Sequence, residues 1–300
     1  MINLLQKRLI LSLIALIVLN QDFFCQQKKQ KTYIPIEFYP QKKQQVEVLV
    51  EKYTTTHKTW LYNILDQAEV YRIYVRNEIK KRNMPEILEY LPVVESNYIP
   101  TAKSKSGATG MWQFMLNSIK PFLTYNEYID ERLDPYKSTQ AALSKLQDNY
   151  NMFGDWLLAI TAYNCGAGAM KRALKKAEKK DFWYLAQHNL ISKQACEYVP
   201  KLLAIADVAT NYKYYNIKMP TGRDINGNTL KIPVDDFEYV TVNKEIPLEL
   251  LAQELRLDKD IMKNLNLALV KGTTPPHQKY DIRLPYGMKK TAEYVLNELY

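Results

Sequence analysis

Glu95 stands in the segment PEILEYLPVVES, residues 85–96. On a helix turning ~100° per residue, Ile87, Leu88, Leu91 and Val94 fall on one face. Glu95 projects between Leu91 and Leu88, inside that apolar stripe. Burial disfavours the charged form of a carboxyl group and raises its pKa, as a general acid working near neutrality requires. The same position also reads as an exposed glutamate at a fraying helix end. The segment alone leaves both readings open.

Three further segments carry polar or aromatic groups in unusual settings. In GATGMWQFM (residues 107–115) two glycines flank a small-residue turn that lets backbone pass close to a bulky group. Met111, Trp112, Gln113 and Phe114 then offer apolar walls with one amide, the combination that suits a sugar ring and its acetamide. The bland alternative is a loop leading into a helix with a buried tryptophan. AYNCGAG (residues 162–168) places the phenol of Tyr163 and the amide of Asn164 at a helix end beside glycines. EYVPKLLA (residues 197–204) puts Tyr198 at the start of an apolar helix. Each segment is weak by itself, and their order along the chain gives the set its weight.

The elements that must hold these residues are mostly helical, from about Val46 to about Tyr215. Pro85 suits the first turn of a helix, Asp155 is a natural N-cap for the run Trp156 to Asn164, and Gly166 is a natural stop. Lys171-Arg172, Lys175-Lys176 and Lys179-Lys180 recur every four residues and line one helical face. That stripe reads as a solvated face or as a hold on an acidic strand. Residues 216–236 hold the turn signals Pro220-Thr221-Gly222 and Asn226-Gly227-Asn228, which mark a linker or small hairpin. The tail, 237–290, then reads strand (Phe237 to Val242), two short helices (Pro247 to Leu255 and Asp258 to Leu265) and strand (Lys279 to Pro285).

The N-terminus predicts export. Lys7 and Arg8 precede the apolar run Leu9 to Leu19, about a dozen residues where a spanning helix needs ~20. Residues 1–25 are read as a signal peptide cut after Cys25, an uncut membrane anchor or a lipidated segment, in that order. Residues 26–45 form a polar tether. The remaining chain, 46–215 and the tail, is then outside the cytoplasm. The composition, 47% hydrophobic and 24% charged, is that of a folded soluble protein, and a net charge of +9 fits an anionic partner without naming one. His57, His188 and His277 have no ligand spacing, so no metal or cofactor is expected. Export and the lack of a nucleic-acid module argue against a nucleic-acid partner.

With these motifs in hand, the stretch from about Tyr74 to Tyr214 resembles the soluble-type (SLT) lytic transglycosylases, glycoside hydrolase family 23, related in fold to goose-type lysozyme. The resemblance rests on Glu95-Ser96, Gly110-Met111-Trp112-Gln113-Phe114, Ala162-Tyr163-Asn164-Cys165-Gly166 and Tyr198-Val199-Pro200. Cys165 stands where the family commonly has alanine. A basic N-terminal tether and a C-terminal module are most similar to the membrane-bound transglycosylase D type. The tail resembles a LysM module, a small peptidoglycan binder, with its usual turn replaced by Asn243 to Pro247.

The resemblance implies a mainly α, lysozyme-like catalytic domain and a small α+β LysM-like module. It implies cleavage of the β-1,4 bond between N-acetylmuramic acid and N-acetylglucosamine in peptidoglycan glycan strands, leaving a 1,6-anhydro-N-acetylmuramic acid end. Glu95 would act as acid and then base. Ser96, Met111, Gln113, Phe114, Tyr163, Asn164 and Tyr198 would bind or frame the substrate. It also implies a periplasmic or outer-membrane location, with membrane association through the N-terminus. Because the family fold brings the third and fourth motifs to one cleft, Cys165 and Cys196 are candidates for a disulfide. Two rivals stand. One is a lysozyme-type hydrolase, which needs a second carboxylate such as Asp130, Glu131 or Asp134. The other is a non-catalytic wall-binding scaffold.

Overall fold

The computed structural model describes residues 44–220 and 237–299. The expected signal or anchor, with Lys7, Arg8 and Cys25, nearly all of the tether and most of the 216–236 linker lie outside the described residues. No helix among the described residues is long and apolar enough to cross a membrane.

The helical part runs α1 Gln44–Thr54, α2 Lys58–Gln67 and α3 Glu69–Lys81, then a 3-10 turn Glu86–Tyr90 leading into α4 Leu91–Ser96. After an irregular stretch come α5 Pro135–Phe153, α6 Trp156–Cys165, α7 Ala167–Lys176, α8 Phe182–Gln187 and α9 Lys193–Thr210. Helix α6 is the axis of the core. Every residue from Leu157 to Tyr163 is buried, and α5, α7, α8 and α9 pack around it. A helix that is apolar all round must be enclosed in this way. Its ends follow the sequence signals. The Asp155 carboxylate accepts from the Leu158 N–H at 2.8 Å, and Gly166, at φ 85°, stops the helix. Asp134 caps α5 in the same manner, accepting from the N–H groups of Tyr136 and Lys137.

Two stretches depart from the expected continuous helix. Residues 85–96 divide into the 3-10 turn and α4 because Pro92 lacks an N–H to return to the preceding turn and instead opens α4. Residues 97–134 are mostly turns and isolated bridges, Lys103 with Thr109, Thr109 with Phe114 and Tyr125 with Asp130. Asn97, Tyr98, Gly107, Gly110 and Gln113 there all take positive φ, which no α-helix accommodates.

In the tail, β1 Phe237–Val242 and β2 Tyr280–Pro285 pair antiparallel, from Phe237 opposite Pro285 to Val242 opposite Tyr280. Between them lie α10 Leu248–Glu254 and α11 Lys259–Leu265. A further helix, α12 Lys289–Leu299, extends past the expected end of the module at 290. Ala292 and Leu296, four residues apart, bury its inner face.

The tail packs against the helical part. Its core of Val240, Leu251, Met262, Ile282 and Leu284 takes in Ile129 from the irregular stretch of the helical part. Ile129 bridges Leu269, with Asp130 N–H donating to Ala268 O at 2.8 Å and Val270 N–H to Tyr128 O at 3.0 Å. Arg283 reaches Asp134 at 3.1 Å, both side chains being almost fully buried, and its guanidinium lies 4.6 Å from the Tyr136 ring centre. The two parts share core and backbone hydrogen bonds, so the module is seated rather than loosely strung.

Candidate active site

Glu95 occupies the last turn of α4 and keeps a partly accessible edge. The phenol of Tyr198, from the second turn of α9 and itself 4% exposed, donates to one carboxylate oxygen. Burial raises the Glu95 pKa to about 7, against smaller lowering effects of the Tyr198 hydrogen bond and the Lys145 charge. At neutral pH this carboxyl group is poised between acid and base.

A second buried glutamate, six residues earlier, shows how much the surroundings decide. Glu89 is 4% exposed, yet Arg72 donates to it at 3.1 and 2.9 Å and Arg76 at 2.7 and 2.8 Å. Burial pushes its pKa up, but the two guanidiniums outweigh that and hold it below the usual carboxylate range. Glu89 is an anion that ties α3 to the 3-10 turn. It has no proton to give.

The wall beside Glu95 is the loop 107–114. The Ser96 hydroxyl donates to Met111 O at 2.7 Å, joining the end of α4 to that loop. Tyr163 donates to Trp112 O at 2.9 Å, and the Trp112 indole donates to the Thr139 hydroxyl at 2.9 Å. Gly110 has to be glycine, since a Cβ there would lie 1.8 Å from the carbonyl oxygen of Arg132. Arg132 in turn donates to Gly107 O and Phe114 O and is paired with Asp130 at 2.7 Å. The strip from Asp130 to Asp134 therefore backs the wall on one side and receives the C-terminal module on the other.

Several residues expected at the substrate surface lie beneath it. Met111 and Phe114 are 1% and 2% exposed and belong to the core. Packing behind the loop, not contact in front of it, absorbs their apolar surface. Tyr163 is buried, with its hydroxyl spent on the loop. Gln113 is half-buried, and its amide nitrogen donates to Gly110 O at 2.9 Å and Ala102 O at 3.3 Å, while its carbonyl accepts no hydrogen bond among the described residues. Asn164 is half-buried and makes no side-chain hydrogen bond among the described residues. It is the amide in this set with both donor and acceptor unspent.

Cys165 and Cys196 are both free. The Cys165 thiol turns to its neighbour's carbonyl, Gly166 O, and that of Cys196 to Ala186 O and Ile191 O. The candidate bridge is not formed in this structure, where each sulfur faces its own local backbone.

Sequence reasoning passed over Lys145. Its ammonium lies 5.3 Å from the Phe114 ring centre and 5.4 Å from that of Tyr163. Burial lowers its pKa, partly opposed by Glu95. A signal was present: on the α5 wheel Lys145 falls between Ser138, Ala142 and Asn149, all buried, so it is a charge on an inward face. Asp130, Glu131 and Asp134 are engaged elsewhere, with Arg132, Lys137 and Arg283. None of the three is among the charges acting on Glu95.

The chain is similar to known proteins in two stretches. Residues 74–186 match the model of the transglycosylase SLT domain, and residues 236–300 that of the LysM-like domain of lytic transglycosylase MltD. The membrane-bound lytic murein transglycosylase D of Escherichia coli (strain K12) is 37% identical over 171 residues, 55% of this chain and 37% of that protein. The peptidoglycan transglycosylase gp16 of Escherichia phage T7 is 34% identical over 125 residues, 40% of this chain and 9% of that protein. A solved structure of an inactive mutant of the lytic transglycosylase Slt from Pseudomonas aeruginosa covers 53% of this chain and 26% of its own, with a TM-score of 0.40 and 20% identity. The matched stretch thus spans well under half the length of these two relatives. Residues 74–186 are a transglycosylase SLT domain and residues 236–300 an MltD-type LysM-like domain, in a chain homologous to membrane-bound lytic murein transglycosylase D.

Proposed function

We propose that this protein is a peptidoglycan lytic transglycosylase of the cell envelope, cutting the β-1,4 bond between N-acetylmuramic acid and N-acetylglucosamine and leaving a 1,6-anhydro end. The observation that carries this reading is the carboxyl group of Glu95, mostly enclosed, not ion-paired and bonded to the phenol of Tyr198, beside the loop wall that carries Gln113.

One carboxyl group is enough for this reaction. Glu95 gives its proton to the glycosidic oxygen as the bond from that oxygen to C1 breaks. The C6 hydroxyl of the same N-acetylmuramic acid attacks C1, and the Glu95 carboxylate takes the hydroxyl proton. The proton balance closes on Glu95, and no water is consumed. A retaining or inverting hydrolase instead needs a second carboxylate to activate water or form a glycosyl ester. Tethering of the C6 hydroxyl to the reacting sugar removes most of the entropic cost of bringing a nucleophile. Lys145 supports the second half of the cycle, since its positive charge favours the Glu95 carboxylate. Asn164 and the carbonyl of Gln113 are placed to take acetamide groups. Met111, Phe114 and Tyr163 shape the wall from behind.

The test is Glu95→Gln with mass analysis of digested peptidoglycan. The wild type should release products one water lighter than hydrolysis products. The variant should fold and bind glycan while losing nearly all cleavage, because an amide of the same size cannot give and take the proton. Products bearing a reducing end would favour the lysozyme reading. Wild-type turnover by folded Glu95→Gln would overturn the mechanism.

A further inference from the structure

We propose that a cavity adjoining Asn164, built between α7 and the start of α9, is a subsite for a carboxylate of the peptide stem that peptidoglycan carries on its N-acetylmuramic acid. The cavity has a volume of about 390 Å³, and its lining includes Asn164, Arg172, Lys176, Ile191, Ser192 and Gln194. This subsite rests on the peptidoglycan reading above and deepens it.

Four observations converge. First, Asn164, whose amide is unspent and which the proposed function gives to a sugar acetamide, itself lines this cavity. Second, the repeating cations on α7 separate into two sets. Arg172 and Lys176, four residues apart, line the cavity, whereas Lys171 and Lys175 do not. A helix turning ~100° per residue presents positions i and i+4 to the same neighbour. Third, neither Arg172 nor Lys176 has a carboxylate partner among the described residues. Other exposed lysines do, such as Lys201 with Glu197 and Lys259 with Glu249. Fourth, the guanidinium of Arg172 folds back along its own helix. Its Nη1 lies 3.6 Å from where a Cβ of Gly168 would be. Burial raises the Cys165 thiol pKa, and the charge of Arg172, which lines the same cavity, acts against that.

The far wall supplies neutral hydrogen-bonding groups, Ser192 and Gln194, beside the apolar Ile191. Two unpaired cations with polar and apolar neighbours suit a short peptide bearing free carboxylates better than a neutral sugar. Charge-assisted hydrogen bonds to a guanidinium are about twice as strong as neutral ones, so such a group sets preference among strands of the same glycan.

The test compares the double variant Arg172→Gln/Lys176→Gln with a control, Lys171→Gln/Lys175→Gln, in the full chain. Both are assayed on glycan strands carrying their peptides and on the same strands stripped by an amidase, with release of anhydro-ended product as readout. The expected result is a roughly tenfold loss of kcat/KM on peptide-bearing strands for the double variant. No loss is expected on stripped strands, nor with the control variant on either. An equal loss on both strand types, or no loss on either, overturns the subsite. If the wild type makes no anhydro product from any strand, the transglycosylase reading fails instead. The subsite is then decided by binding of a free stem peptide, which should weaken in the double variant and on amidation of the peptide carboxylates. Binding insensitive to both changes overturns it.

Discussion

The Glu95→Gln variant is also a measurement of how far the site has been built against its own ionisation. The Glu95 carboxyl group moves from 4.5, its ordinary value, to about 7 in the folded chain. Between those pH values the native state holds a proton that the unfolded chain has released. Stability must therefore fall as pH rises through that window, with no penalty below 4.5 and the full penalty above about 7. At 1.36 kcal/mol per pH unit the penalty is about 3 kcal/mol. Glutamine has the shape of the neutral acid and never ionises, so the variant escapes this cost. It also removes the charge that favours the protonated form of Lys145, which makes ~3 kcal/mol the upper figure. Thermal unfolding of wild type and variant should coincide near pH 4.5 and diverge as pH rises. By pH 8 the variant should melt roughly 5–10 °C higher, taking ~2–4 °C per kcal/mol for a chain of this size. A constant difference in Tm at pH 4.5 and pH 8 would refute the reasoning, since it would show that Glu95 ionises in the native state as it does in the unfolded chain.

Tyr198→Phe removes a hydrogen bond that lowers the Glu95 pKa, so the alkaline limb of the rate–pH profile should move up by roughly one to two pH units; an unmoved limb would separate Tyr198 from Glu95. Arg283→Met strands the Asp134 carboxylate in the seam between the helical part and the module, and should cost about 3–5 kcal/mol in denaturant unfolding. Adding Asp134→Asn should recover part of this, because the amide oxygen still caps α5, and a loss under ~1 kcal/mol would mean that the seam contributes little.

The local parts of the site were legible because they depend on neighbours in sequence. Asp155 and Gly166 bound α6 as their types require, for a cap acts within one turn of its own helix. The strand, helix, helix, strand order of the tail follows from period and turn residues in the same way. Glu95 stood out because a carboxyl group on an apolar face breaks the pattern around it. The wheel that singled it out assumed one continuous helix, which Pro92 interrupts. It still marked a carboxyl group that the fold largely encloses, because the residues nearest Glu95 share its short helix.

What required the tertiary structure was the partner of each charged group. Glu89 and Glu95 lie in one short segment and both are enclosed, yet one meets two guanidiniums from α3 and the other a phenol from α9. Only the second can hold a proton near neutrality, and the partners that decide this lie outside the segment. Lys145 over Phe114 and Tyr163, Met111 behind its loop and the two cysteines turned apart are all set by helices crossing far along the chain. The seat of the module on Ile129 and Asp134 belongs to the same class. Sequence determined which side chains were available for chemistry and which elements carried them. The fold decided which of them face one another, because a pKa and a contact are properties of the surroundings in space and not of the residue alone.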